Sequence, residues 1–200
     1  MANANTVRRQ VSGSQQLTIA PQVGLLSTHV VFQLNNNGLT LTGGGLIPLS
    51  AGTYGLYLGT GQVLKVVANG TLTGIVGATD TFAVKLFVVT AAGLAVPPTN
   101  ATIIAPSGGS SLVADSGTIA TVAGTSASFT FQARLQLSAT GILTGEFTVT
   151  VGGVDKVYAT TNAVSGLGEA DLNFFFSLAD PNGANASATA TLDEFRIDWE

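Results

Sequence analysis

The sequence predicts an all-β chain, an antiparallel β-sandwich or jelly roll over residues 17–200 behind an extended N-terminal arm of residues 1–16. Three observations predict it. Apolar and polar residues alternate with a period of two in the clearest segments, which places one strand face in a core and the other in a wetter setting. Gly, Asn, Pro and Asp punctuate the chain at short intervals, as tight turns between short strands require. No stretch carries a helical period, so strands alternating with helices are not expected.

In chain order, residues 1–16 are polar and aperiodic and read as an arm. Strand candidates follow at Thr28–Leu34, Tyr54–Leu58, Gln62–Leu72 and Thr81–Thr90. Pro97 to Ser111, with Pro97-Pro98 and a Ser-Gly-Gly-Ser-Ser run, reads as a long loop. Ser126–Ser138 is the clearest strand: Phe129, Phe131, Ala133, Leu135 and Leu137 alternate with Thr130, Gln132, Arg134 and Gln136. Glu146–Val151 repeats the pattern with Phe147, Val149 and Val151 inward, and the two are expected to pair through Thr140–Gly145, where Gly141 and Gly145 can take positive φ. Asp171–Leu178 and Thr189–Trp199 complete the set. In the last, Leu192 and the run Phe195, Ile197, Trp199 are out of phase, which predicts a β-bulge at Asp193-Glu194. Turns are expected at Asn35-Asn36-Asn37-Gly38, Asn69-Gly70, Gly152-Gly153 and Asp180-Pro181-Asn182-Gly183.

Two hundred residues suit one core, and 46% hydrophobic residues with a net charge of -4 exclude a disordered chain. Charged residues are only 9%, against a usual share of about 25%. A lone domain keeps itself dispersed by a charged surface, so the deficit implies an exterior covered by partners. The alternative is the Ser/Thr-rich skin of a secreted or halotolerant sandwich. With no cysteine, disulfides and thiolate metal sites are excluded. The first ten residues hold no apolar h-region, and the most apolar stretch, Phe82–Val96, is interrupted by Lys85, Thr90 and Gly93, so neither a signal peptide nor a membrane span is expected. A pI near 4.7, with Arg8-Arg9 as the one adjacent basic pair, argues against direct nucleic-acid binding.

Enzymatic chemistry finds little to work with. A serine triad would have to use the single histidine, His29, which opens an apolar strand, and Ser110 and Ser111 lie in a loop rather than a nucleophile elbow. Glycosidase chemistry needs two placed carboxylates. Candidates are Asp155, Glu169, Asp171, Asp180, Asp193, Glu194, Asp198 and Glu200, yet each fits a turn or an outward strand position. No calcium loop, P-loop or dinucleotide fingerprint is present, and Gly43-Gly44-Gly45 and Gly59-Thr60-Gly61 read as turn glycines. A non-enzymatic protein without cofactor is expected. Outward apolar residues are more informative: Phe87 and Phe175 sit on the otherwise polar faces of their strands, which suggests subunit contacts or, as the alternative, coverage by a loop of the same chain. The interface candidates are these two, Arg8 and Arg9 of the arm, and Trp199 of the closing strand.

The runs Ser128-Phe-Thr-Phe-Gln-Ala-Arg-Leu-Gln-Leu-Ser-Ala-Thr-Gly, Gly145-Glu-Phe-Thr-Val-Thr-Val, Asp171-Leu-Asn-Phe-Phe-Phe-Ser-Leu and Asn185-Ala-Ser-Ala-Thr-Ala-Thr-Leu-Asp-Glu-Phe-Arg-Ile resemble the small jelly-roll virion proteins of tailed bacteriophages. Leu64–Leu86 is similar to the preceding hairpin of that fold, so the likeness spans about three quarters of the chain. It implies a capsid cement or decoration protein, a homotrimer assembled in the host cytoplasm. Its partners would be the major capsid protein or other virion proteins, with the arm lying across neighbouring subunits. Leu192-Asp-Glu-Phe-Arg-Ile also resembles the final strand of laminin-G or concanavalin-like sandwiches. That implies the alternative of a glycan- or receptor-binding module on a tail or fibre.

Overall fold

The alternation in Ser126–Leu137 becomes β9, whose odd-numbered residues from Phe129 onward are buried while Gln132, Arg134 and Gln136 face out. It pairs antiparallel with β10, Leu143–Val151, in the register Phe131↔Val149 and Ala133↔Phe147. The computed structural model describes residues 18–25, 30–35, 38–42, 56–57, 59–73, 81–90, 112–120, 126–167, 171–179 and 189–199. The remaining strands are β1 (Thr18–Leu25), β2 (Val30–Asn35), β3 (Gly38–Thr42), β4 (Leu56–Tyr57), β5 (Val63–Thr73), β6 (Thr81–Thr90), β7 (Leu112–Asp115), β8 (Ile119–Ala120), β11 (Val154–Thr160), β12 (Asp171–Ala179) and β13 (Thr189–Trp199).

Two antiparallel sheets form. The first has six strands in the order β1-β13-β5-β9-β10-β11, and the second runs β3-β2-β12-β6-β7 with β4 paired to β12 and β8 to β6. All described elements are strands, so the expected all-β sandwich is what the chain adopts.

Phenylalanines hold the sheets together. Phe176 of β12 lies with its ring centroid 5.3 Å from Phe131 of β9, 5.6 Å from Phe195 of β13 and 6.3 Å from Phe129. Phe131 reaches on to Phe147 at 5.9 Å, and Phe82 of β6 to Phe129 at 5.8 Å. Offset and tilted rings at these spacings add to the area they bury. Leu64, Val66, Leu72, Val84, Leu86, Leu172 and Ile197 fill the same core.

The bulge in β13 is present: Leu192 pairs with Gly70 and Glu194 with Asn69, so Asp193 is the extra residue and Phe195 and Ile197 return to the core. Gly152 and Gly153, with φ of 61° and 76°, form the two-residue turn from β10 to β11, and Gly141 at 74° serves the β9–β10 turn. Two expected turn glycines sit elsewhere. Asn69-Gly70 lies inside β5, where a Cβ on Gly70 would come within 2.0 Å of Thr191 O. Gly145 lies inside β10, where a Cβ would come within 1.8 Å of Arg134 O. Both are glycine because the backbones approach closely, not because the chain reverses.

Strands β1, β3, β7, β8 and β11 go beyond the strands read from sequence. β1 contains Pro21, with its pairing to β13 irregular between Thr18 and Gln22, and β11 is exposed over most of its length, so neither shows clean alternation. The arm, the loop from Pro97 to Ser111 and the turn at Asp180–Gly183 lie outside the described residues.

Candidate functional site

The outer face of the six-stranded sheet gathers most of the described ions of a charge-poor chain. Antiparallel pairing sets directly opposed residues on the same face. One row across the sheet therefore reads Thr160, Glu146, Arg134, Lys65, Asp198. The next reads Tyr158, Thr148, Gln132, Val67, Arg196, and a third Asp155, Thr150, Thr130, Asn69, Glu194.

These groups bind one another. Arg196 Nη1 lies 2.7 Å from Glu194 Oε1 and its Nε 3.0 Å from Asp198 Oδ2, so one guanidinium clamps the acids two residues to either side. Asn69 Nδ2 donates to the other oxygen of Glu194. Thr150 Oγ1 donates to Asp155 Oδ1 at 2.7 Å. Tyr158 O–H donates to Glu146 Oε2, and that bond, with the carboxylate charge beside it, raises the phenol above the ordinary 10.0. The face is thus largely polar and close to electrically balanced, with Val67 buried at 3% between Gln132 and Arg196. An open depression of about 310 Å³ lies on it over Arg134, Gln136, Thr144, Glu146 and Thr160. At the free margin Tyr158 is 71% exposed and Val154 57%.

The outer face of the other sheet is different. Phe87 and Phe175 point away from the core, as the alternation places them, and they are 2% and 0% exposed within the single chain, which agrees with cover by the same chain rather than with rings left open for a subunit contact. They stand opposite each other across β6 and β12 and pack with Val89 and Leu112 into a second apolar cluster. Burying both rings removes their area from water without a partner chain. Beside them Ser177 is also buried, and Lys85 pairs with Asp115 at 3.2 Å. Trp199 pairs in register with Leu64 at the end of β13, and Arg8 and Arg9 lie outside the described residues.

Two of the candidate catalytic groups share one guanidinium, and the other described ones lie apart. Glu194 and Asp198 are held by Arg196, Asp155 by Thr150, and Asp193 is exposed on the bulge. Asp171 opens β12 in register with Tyr57. His29, Ser110, Ser111, Glu169, Asp180 and Glu200 lie outside the described residues. Among the described residues no group of three His, Cys, Asp or Glu is placed to hold a metal ion. The exposed Tyr158 and the depression beside it were missed from sequence because β11 shows no strand pattern.

No protein-family model matches the chain, and no curated protein matches its sequence. Among solved structures it is similar to the carbohydrate recognition domain of Emp47p, at 11% identity and a TM-score of 0.41 over 92% of this chain and 93% of that one. It is similar to a legume lectin-like domain from Entamoeba histolytica, at 8% identity and 0.34 over 93% and 96%. It is also similar to the alginate lyase AlgAT5 of polysaccharide lyase family 7, at 11% identity and 0.35 over 86% and 79%. Superpositions this loose say nothing of ligand or reaction.

Proposed function

We propose that this chain is a structural, non-enzymatic subunit of a tailed-bacteriophage virion, of the capsid cement type, which docks through the outer face of its six-stranded sheet. The observation that carries the docking face is the near-balanced set Lys65, Arg134, Arg196, Glu146, Asp155, Glu194 and Asp198 gathered on one outer face of a chain that is only 9% charged. Subunit interfaces that form after folding are about as polar as ordinary surface, and they use charge to set orientation more than strength. The virion assignment itself rests on the sequence resemblance. Co-sedimentation with expanded phage capsids tests it. Wild type is expected in the pellet, and Arg134→Glu, which reverses a charge in the central row, is expected to leave most of the protein in the supernatant. A wild-type chain that never enters the pellet overturns the reading.

A glycan- or receptor-binding role on a tail or fibre is the second reading, favoured by the exposed Tyr158 ring beside a depression lined with Arg134, Gln136, Thr144 and Glu146. Binding sites for polar ligands use a few placed polar groups with an aromatic surface. Saturable binding on a glycan array, lost in Tyr158→Ala, would move the assignment to this role.

A further inference from the structure

The free edge of the six-stranded sheet points to a contact that neither function requires. β11 ends that sheet, and among the described residues no strand pairs with its far side. The ladder shows which backbone groups face outward. Thr161 N–H donates to Gly145 O at 2.9 Å and Gly145 N–H to Thr161 Oγ1 at 2.7 Å, so residue 161 faces β10. Alternation then turns Ala159 and Val157 towards β10 and leaves the N–H and C=O of Tyr158 and Thr160 aimed away from it. The edge is bounded at both ends. Asn162 N–H crosses to Val113 O in the other sheet at 2.8 Å, and Lys156 is the extra residue of a bulge opposite Val149 and Thr150. Between them Val157–Thr161 holds no charge and no proline, two of the devices that protect an open edge, and the bulge at Lys156 limits the edge to this short run. The charges of Asp155 and Lys156 sit on or beyond the bulge.

We propose that this edge pairs with the same edge of a second copy of the chain, antiparallel about a two-fold axis at Ala159. That register sets Tyr158 opposite Thr160 of the other copy, twice, and satisfies every outward N–H and C=O of the two residues on both chains. Centring the axis on Tyr158 instead would set Thr160 against the bulge and lose those bonds. The side chains agree with the choice: the two Tyr158 rings take diagonal positions within reach of each other, and each Glu146 is kept from its counterpart by two intervening strands. A seam of five residues falls well below the roughly 1,200 Å² of a standard interface, so association is weak and grows with concentration. The seam uses one edge alone and is compatible with a trimer made through other surfaces. It holds whether the sheet's face binds a capsid or a glycan.

Sedimentation velocity of the full chain over a concentration series tests the seam. The weight-average mass of wild type is expected to rise towards twice its dilute value. Thr160→Pro removes an N–H that its own ladder does not use and leaves the Tyr158–Glu146 bond in place, so the variant is expected to keep its thermal midpoint and show no rise in mass. A second measurement stands if that variant fails to fold. Ala159→Cys puts one thiol on each copy of a chain that has no cysteine, at a position where opposed Cα atoms would lie about 4.5 Å apart, within disulfide reach. Mild oxidation is expected to link Ala159→Cys into dimers, and Thr144→Cys, away from the edge, to stay monomeric. A mass independent of concentration in wild type, or equal cross-linking by both cysteine variants, overturns the proposal.

Discussion

The outer faces of the two sheets obey one rule of alternation and reach opposite ends. On the six-stranded sheet, outward positions hold Thr130, Gln132, Arg134, Thr148 and Glu146 and stay open to water apart from their own cross-strand contacts. On the seven-stranded sheet, outward positions of β6 and β12 hold Phe87, Val89 and Phe175, and these are buried in a layer of their own. Outward from the core is a statement about direction, and exposure depends on what lies over the face. Among the described residues the six-stranded sheet offers the broader polar surface, while the other sheet shows the Lys85–Asp115 pair beside its apolar layer.

The sharpest way to break this contrast is to truncate the apolar layer. Phe175→Ala is expected to cost about 3–5 kcal/mol, as removal of a fully buried ring does, read as a lower denaturant midpoint at unchanged slope. A loss of about 1 kcal/mol or less would show that the layer contributes little beyond its presence. The six-stranded sheet should be sensitive in its backbone rather than its outer side chains. Gly145→Ala, with a Cβ 1.8 Å from Arg134 O, is expected to cost about 1–3 kcal/mol through strand displacement, and thermal melts would show it. Arg196→Met removes the clamp on Glu194 and Asp198. Its side chain is 30% exposed, so the expected loss is about 1 kcal/mol or less and shrinks with added salt. Gln132→Ala, on the open face, should change stability by no more than about 0.5 kcal/mol.

The smallest effect is a proton. Tyr158 holds its phenolic proton more tightly when folded because Glu146 accepts the hydrogen bond and opposes a second negative charge. The neutral phenol is the favoured form, so its contribution is intact below pH 10 and is lost as pH rises through and above the ordinary value, where the unfolded chain releases the proton first. Absorbance titration should place the phenol midpoint above 10.0, and Glu146→Gln should return it towards that value.

Much of this molecule was legible along the chain. Thr81–Thr90 and Thr189–Trp199 coincide with strands read from alternation and punctuation alone, and the bulge at Asp193 follows from Leu192 and Phe195 being out of phase. Such features are local: side-chain period, turn chemistry and phase are written in adjacent residues. The polar rows of the outer face are half legible, since Arg134 and Gln132 are visibly outward but their partners Lys65 and Val67 depend on strand order. Three features were decided only by tertiary structure. Phe87 meets Phe175 across strands 88 residues apart, Gly70 and Gly145 are required by neighbouring backbones, and β11 becomes an edge because nothing described follows it in the sheet. Each depends on which strands lie side by side, and that is set by packing two faces around the Phe176 core rather than by any short run of sequence.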